Sequence, residues 1–203
     1  DLYFNPGTVE AAFETEEKAF DAGRIKAQLL SQIKAPILTG TRVTQVEREG
    51  DCFVLTLSDS SRVRTPWVLN ATYAAINQVL ALFGAKPFQV KYELAEVALG
   101  EPSPDLRGLG VTLIDGPFFS TLPFGLTGLH SLTTVEHTPH LSTPGPLPRF
   151  SCQSLVNDCS PEVLRNCNVC PDRPRSSHPL MSRLARKYLQ NRFNLKIRES
   201  LFA

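Results

Sequence analysis

Between Arg42 and Thr65 the chain alternates apolar and polar residues with a period of two, and turn residues interrupt the alternation twice. In "RVTQVEREGDCFVLTLSDSSRVRT", Val43 and Val46 mark a first extended run and Glu49-Gly50-Asp51 a turn. Phe53, Leu55 and Leu57 then alternate with Cys52, Val54 and Thr56, and after Asp59-Ser60-Ser61 the run Arg62-Val63-Arg64 follows. This pattern predicts a three-stranded antiparallel meander. Trp67-Val68-Leu69 are apolar without alternation, as in a strand buried on both faces of a parallel sheet. The chain is therefore expected to leave a half-exposed meander and enter a fully buried layer.

Elsewhere the period lengthens. Ala22, Ile25, Leu29, Leu30 and Ile33 fall at helical spacing, with Lys26 and Gln32 outside, until Pro36 stops the helix. Glu10–Phe20 has mixed periodicity and fits strand or helix. "NQVLALFGAKPF" reads as a helical turn ended by Gly84 and Pro87. "VKYELAEVALGE", "GLGVTLIDG", "FFSTLPFG" and "LHSLTTVEHT" are four strand candidates separated by Gly and Pro, suggesting a second antiparallel sheet. Pro139 to Pro148 contains four prolines and is expected to be a loop. In "HPLMSRLARKYLQNRF" one helical face carries Leu180, Leu184 and Tyr188 beside Met181, Ala185 and Leu189. The fold class is α+β: a large antiparallel sheet with flanking helices, plus the meander and its returning strand. The expected division is 1–35, 36–78 and 79–203.

Composition narrows the function. With 203 residues, 42% of them apolar, the chain can bury an ordinary core. A net charge of +1 without clustered basic residues argues against a nucleic-acid partner. No apolar run approaches eighteen residues, so no membrane span is expected, and no signal peptide is visible, which suits the cytoplasm. A start at Asp1 and a strand pattern still running at Leu195, Ile197 and Leu201 lead us to expect a piece of a longer protein.

Few residues suggest chemistry by themselves. Cys152, Cys159, Cys167 and Cys170 lie within nineteen residues, the last two as C-x-x-C, and four thiolates suit a structural zinc. The alternative is a set of reduced, partly buried thiols. Glu136, His137 and His140 in "EHTPH" are metal-ligand types, but Pro139 removes the helix that would align them, so loop histidines are the better reading. Phe119, Phe124 and His130, with Ser120, are either core or the wall of a substrate pocket. Arg107 and Arg149 sit in loops, where an arginine can grip a substrate carboxylate or simply be solvated. No Walker loop, H-E-x-x-H or nucleophile elbow occurs.

The order "ETEE", helix, "ILTGTRVTQVE", meander and "VLNATYAA" resembles the middle of FAD-dependent oxidoreductases of the D-amino-acid oxidase and glycine oxidase type. The resemblance implies that "GTRVTQV" is the adenine-contacting segment, with the Val43 backbone as the contact. It also implies that Ala71, Thr72 and Tyr73 belong to the turn after the returning strand, Tyr73 standing where the family has glycine. The strands from Val90 to Thr138 would then be the substrate-domain sheet that covers the flavin ring. The G-x-G-x-x-G strand–helix, which holds the FAD pyrophosphate, would belong to missing FAD-binding segments of the same protein. The implied activity is oxidation of a C–N or C–O bond of a small-molecule substrate by hydride transfer to flavin, with this part alone inactive. The competing expectation is a non-catalytic α+β binding module stapled by a cysteine-held zinc.

Overall fold

A computed structural model of the chain describes residues 2–203. The described residues form three α-helices and nine strands, and the fold class is α+β. In chain order they are α1 (Ala22–Gln32), β1 (Val43–Glu49), β2 (Cys52–Leu57), β3 (Arg62–Thr65) and α2 (Ile76–Leu82). Then follow β4 (Val90–Pro102), β5 (Val111–Leu113), β6 (Phe119–Pro123), β7 (His130–Thr134), β8 (Pro139–Gly145), α3 (His178–Tyr188) and β9 (Leu195–Phe202). The chain divides into two compact units, one of residues 1–32, 93–141 and 166–203, the other of 33–92 and 142–165.

The second of these units holds the meander, in the order β1-β2-β3 with antiparallel pairing. Glu49 pairs with Cys52, so Gly50-Asp51 is a two-residue turn, and Gly50 has φ +61°. Only glycine takes that conformation without strain. Buried Val54, Leu55 and Leu57 lie on both faces of β2, the central strand. On α2, buried Asn77 donates from Nδ2 to the carbonyls of Phe88 (2.7 Å) and Pro146 (2.8 Å) and accepts the Phe88 amide at 3.2 Å. A buried amide so satisfied fixes one arrangement of the surrounding loops.

Three sequence expectations fail. Trp67-Val68-Leu69 form no strand; Trp67 is 72% exposed and Leu69 79%. The meander ends at Thr65 and Pro66 follows, so no partner strand covers them. The four-proline segment, in turn, is not a loop throughout, because Pro139–Gly145 is β8. It ends the hydrogen-bonded order β5-β6-β7-β4-β8. An edge strand leaves alternate amides unpaired, which is where proline is tolerated. Glu10–Phe20, readable as helix or strand, is neither.

The other unit is built on the six-stranded sheet, in which β9 also pairs with β4. One face of the sheet packs under α3. Phe119, Leu132, Ala98, Met181, Ala185 and Tyr188 form its core, and Phe119 and Tyr188 meet at 6.2 Å between ring centroids. The end of α3 is closed by Asn5, whose Nδ2 donates to the carbonyls of Lys187 (3.0 Å) and Leu189 (3.2 Å). Helix-terminal carbonyls have no intrahelical partner and need such a donor. At the far end of the β6–β7 hairpin, Asp21 accepts the amides of Arg24 and Leu126, both at 2.7 Å, joining the start of α1 to the turn. Gly125 has φ +56°, and a Cβ there would stand 2.6 Å from the Asp21 carboxylate, so the turn needs glycine. The apolar face of α1 remains uncovered: no residue of the helix is buried.

Candidate functional site

The cofactor residues read from the sequence fall on two open backbone features of the meander unit. Val43 begins β1, an edge strand, beside a register shift between Val43 and Gln45. A bulge on an edge strand turns backbone groups out of the ladder and commonly lies next to a functional site. Ala71 and Thr72 are exposed and lead into a 3-10 turn, Tyr73–Ala75. Asn70 organises that turn. Its Oδ1 accepts the Thr72 hydroxyl at 2.7 Å and amide at 3.3 Å, and its Nδ2 donates to the Ile76 carbonyl at 2.9 Å.

Tyr73 adopts φ +50° with its side chain 92% exposed. The left-handed region costs a residue with a Cβ about 1–2 kcal/mol. Nothing on the side chain offsets that cost, because the ring packs against almost nothing. The backbone therefore keeps a glycine-type conformation while the residue is not glycine.

The candidate pocket residues separate. Phe119 and His130 are both buried on the covered face of the sheet, on neighbouring strands β6 and β7. Burial holds the His130 imidazole below its ordinary pKa, because a charge there would be desolvated. Phe124 instead sits partly exposed at the hairpin turn, its amide donating to the Leu129 carbonyl at 2.9 Å. On the opposite, open face of the same hairpin stand Ser120, Leu122, Ser131 and Thr133, with the Ser120 hydroxyl 3.2 Å from that of Thr112. Arg107 and Arg149 are both exposed, and Arg149 lies 4.0 Å from Glu162.

Cys152 and Cys159 belong to the meander unit, Cys167 and Cys170 to the large-sheet unit, and all four are half-buried thiols. Among the described residues, no three His, Cys, Asp or Glu side chains come together to hold a metal ion. In "EHTPH", His137 lies 3.9 Å from Glu136. His140 turns to a partner remote in sequence, Glu96, at 2.7 Å.

That partner heads a buried polar cluster. Glu96 is fully buried on β4. Its carboxylate accepts the Ser176 hydroxyl, the Ser177 amide at 2.7 Å and His140 Nε2 at 2.7 Å. Ser200 bonds Ser176 at 3.0 Å, and the His140 ring leans on Phe202 with centroids 5.3 Å apart. Burial alone would raise the Glu96 pKa, but the bonds from Ser176, Ser200, Ser177 and His140 outweigh it and hold the carboxyl below its ordinary value. Ser177 precedes α3, so Glu96 supplies from a strand the acceptor that a helix start needs. The cluster docks helix to sheet. Sequence reasoning passed over it, although one signal was present: Glu96 lies in the same two-residue register as Tyr92, Leu94 and Ala98, where an acid does not belong unless partnered.

No protein-family model and no curated protein matches the chain. No described helix is long and apolar enough to cross a membrane.

Proposed function

We propose that this chain is part of an FAD-dependent oxidoreductase of the D-amino-acid oxidase and glycine oxidase type, oxidising a C–N or C–O bond of a small molecule. The observation that carries the reading is Tyr73. At the position where the resemblance asks for glycine, the backbone has the left-handed conformation that glycine favours, in a turn pinned by Asn70. A resemblance of letters alone would not lead one to expect that geometry at a tyrosine.

Two further observations support it. Val43, the residue aligned with the adenine contact, lies at a bulge on an edge strand, where backbone groups remain available to a ligand. Trp67, Leu69, Ile37 and Leu38 are exposed in the same unit, as expected of surface that further FAD-binding segments of the protein would cover. The residues present thus fit the cofactor, with the Val43 and Tyr73 backbones as its holders in this chain. The flavin, when bound, supplies the hydride acceptor. The chain also offers the open face of the β6–β7 hairpin, where Ser120, Ser131 and Thr133 present hydroxyls around Leu122 that would orient a polar substrate. Five thiols suit the reducing cytoplasm.

The test is the absorption spectrum of the intact protein, purified and reconstituted with FAD. Bound flavin that bleaches on addition of an amino or hydroxy acid is the expected result, with Tyr73→Gly binding flavin at least as tightly. A protein that retains no flavin after reconstitution overturns the proposal.

A further inference from the structure

We infer that the covered side of the six-stranded sheet carries a separate small-molecule site, suited to a compact monocarboxylate with a hydroxyl or carbonyl at its apolar end. A cavity of about 350 Å³ lies between the sheet, α3 and the segment leading into β9, within the usual range for small-molecule pockets. Its interior is walled by Leu106, Leu132 and Phe193, all buried. Thr121, Ser182, Arg186, Asn191 and Asn194 are the polar residues of the lining, and of these Thr121 is the buried one, 1% exposed. Its Oγ1 has no hydrogen-bond partner among the described residues. A buried hydroxyl without a partner costs about 1–3 kcal/mol, so an occupant that bonds it recovers that cost.

The mouth has the opposite character. Arg186 and Asn191 line it and are exposed. Arg186 Nε donates to the Ser182 carbonyl at 3.1 Å, which anchors the side chain. None of the ion pairs among the described residues uses its guanidinium. The last carbonyls of α3 are already capped by Asn5, leaving the guanidinium as the charge at the opening. A cation at the mouth, an apolar body and a hydroxyl at the floor together select an acid with a polar far end. This side of the sheet lies under α3 and is not the hairpin face assigned above to the substrate, so the inference stands whether or not that assignment holds.

Calorimetric titration of the full-length protein with para-hydroxyphenylacetate and with phenylacetate tests it. We expect one saturable site, with the hydroxylated acid bound about five-fold more tightly, the worth of one neutral hydrogen bond. Thr121→Val should erase that preference while keeping phenylacetate affinity, and Thr121→Ser should restore it. Arg186→Gln should weaken both acids roughly ten-fold or more. Absence of saturable binding overturns the inference, as do equal affinities in the wild type, which would mean that water serves the Thr121 hydroxyl. A preference that survives Thr121→Val overturns it too, because binding would then lie elsewhere.

Discussion

Two buried titratable residues of the large-sheet unit should reveal themselves at different acidities. His130 has its pKa lowered by burial. The unfolded chain then binds the proton more readily, so stability falls as pH drops below about 6.5, its unfolded value. Glu96 is also depressed, from 4.5, so its contribution is present above that pH and disappears only as pH falls further, through the folded value. Denaturant titrations across pH should therefore show two separate losses: His130→Leu removes the first, and Glu96→Gln flattens the second. Glu96→Ala is the harsher change, leaving His140 and the Ser177 amide without their acceptor, with an expected cost of about 3–5 kcal/mol. Tyr73 behaves differently. Relief of left-handed strain and the added freedom of glycine in the unfolded chain oppose each other, so Tyr73→Gly should change stability by no more than about 1 kcal/mol. Tyr73→Val should cost more, since a β-branched residue tolerates φ +50° poorly. Equal effects of the two substitutions would mean that the turn relaxes out of the left-handed region.

At the scale of elements, α1 and α3 look alike in sequence, each an amphipathic run of eleven residues, and differ in what they bury. Met181 on α3 is fully buried, so Met181→Ala should cost about 2–5 kcal/mol by chemical denaturation. Leu29 on α1 is 57% exposed, so Leu29→Ala should stay within roughly 0.5 kcal/mol in this chain. A large loss at Leu29 would show that α1 is covered after all. The contrast marks how far the sequence can be read. Both helices, the meander and most strands of the large sheet follow from period alone, because 3.6 and 2 are fixed by backbone geometry. What period cannot say is where an apolar face finds its cover. Trp67-Val68-Leu69 carry the composition of a buried strand, yet no neighbour pairs with them here. β8 was hidden by its prolines, since the sequence does not state which strand will be an edge. The candidate site was legible only as positions. Val43 and Tyr73 could be located from the residues, but the bulge and the positive φ that give them meaning are set by pairing and by the Asn70 side chain. Glu96 was obscured because its partners lie 44, 80 and 81 residues away.

Across the whole molecule the unusual property is the amount of large apolar surface left in water. Ile25, Leu29 and Leu30 are exposed in one unit, and Ile37, Leu38, Trp67 and Leu69 in the other. Single exposed apolar residues are ordinary, whereas runs of them mark surfaces that meet something. Trp67 is the sole tryptophan, so its fluorescence reports this surface without interference. In the chain alone its emission should lie close to that of hydrated indole, with ready quenching by acrylamide. Trp67→Ser should leave stability within about 0.5 kcal/mol. In the intact protein, if the FAD-binding segments cover this surface, the emission should shift to the blue and quenching should fall, with or without flavin bound. Retention of flavin by an intact protein whose Trp67 stays fully quenchable would keep the enzyme and move the cover elsewhere. An equally quenchable Trp67 in an intact protein that binds no flavin would remove both the proposed activity and the proposed role of this surface. The two measurements together therefore separate what Tyr73 supports from what Trp67 supports.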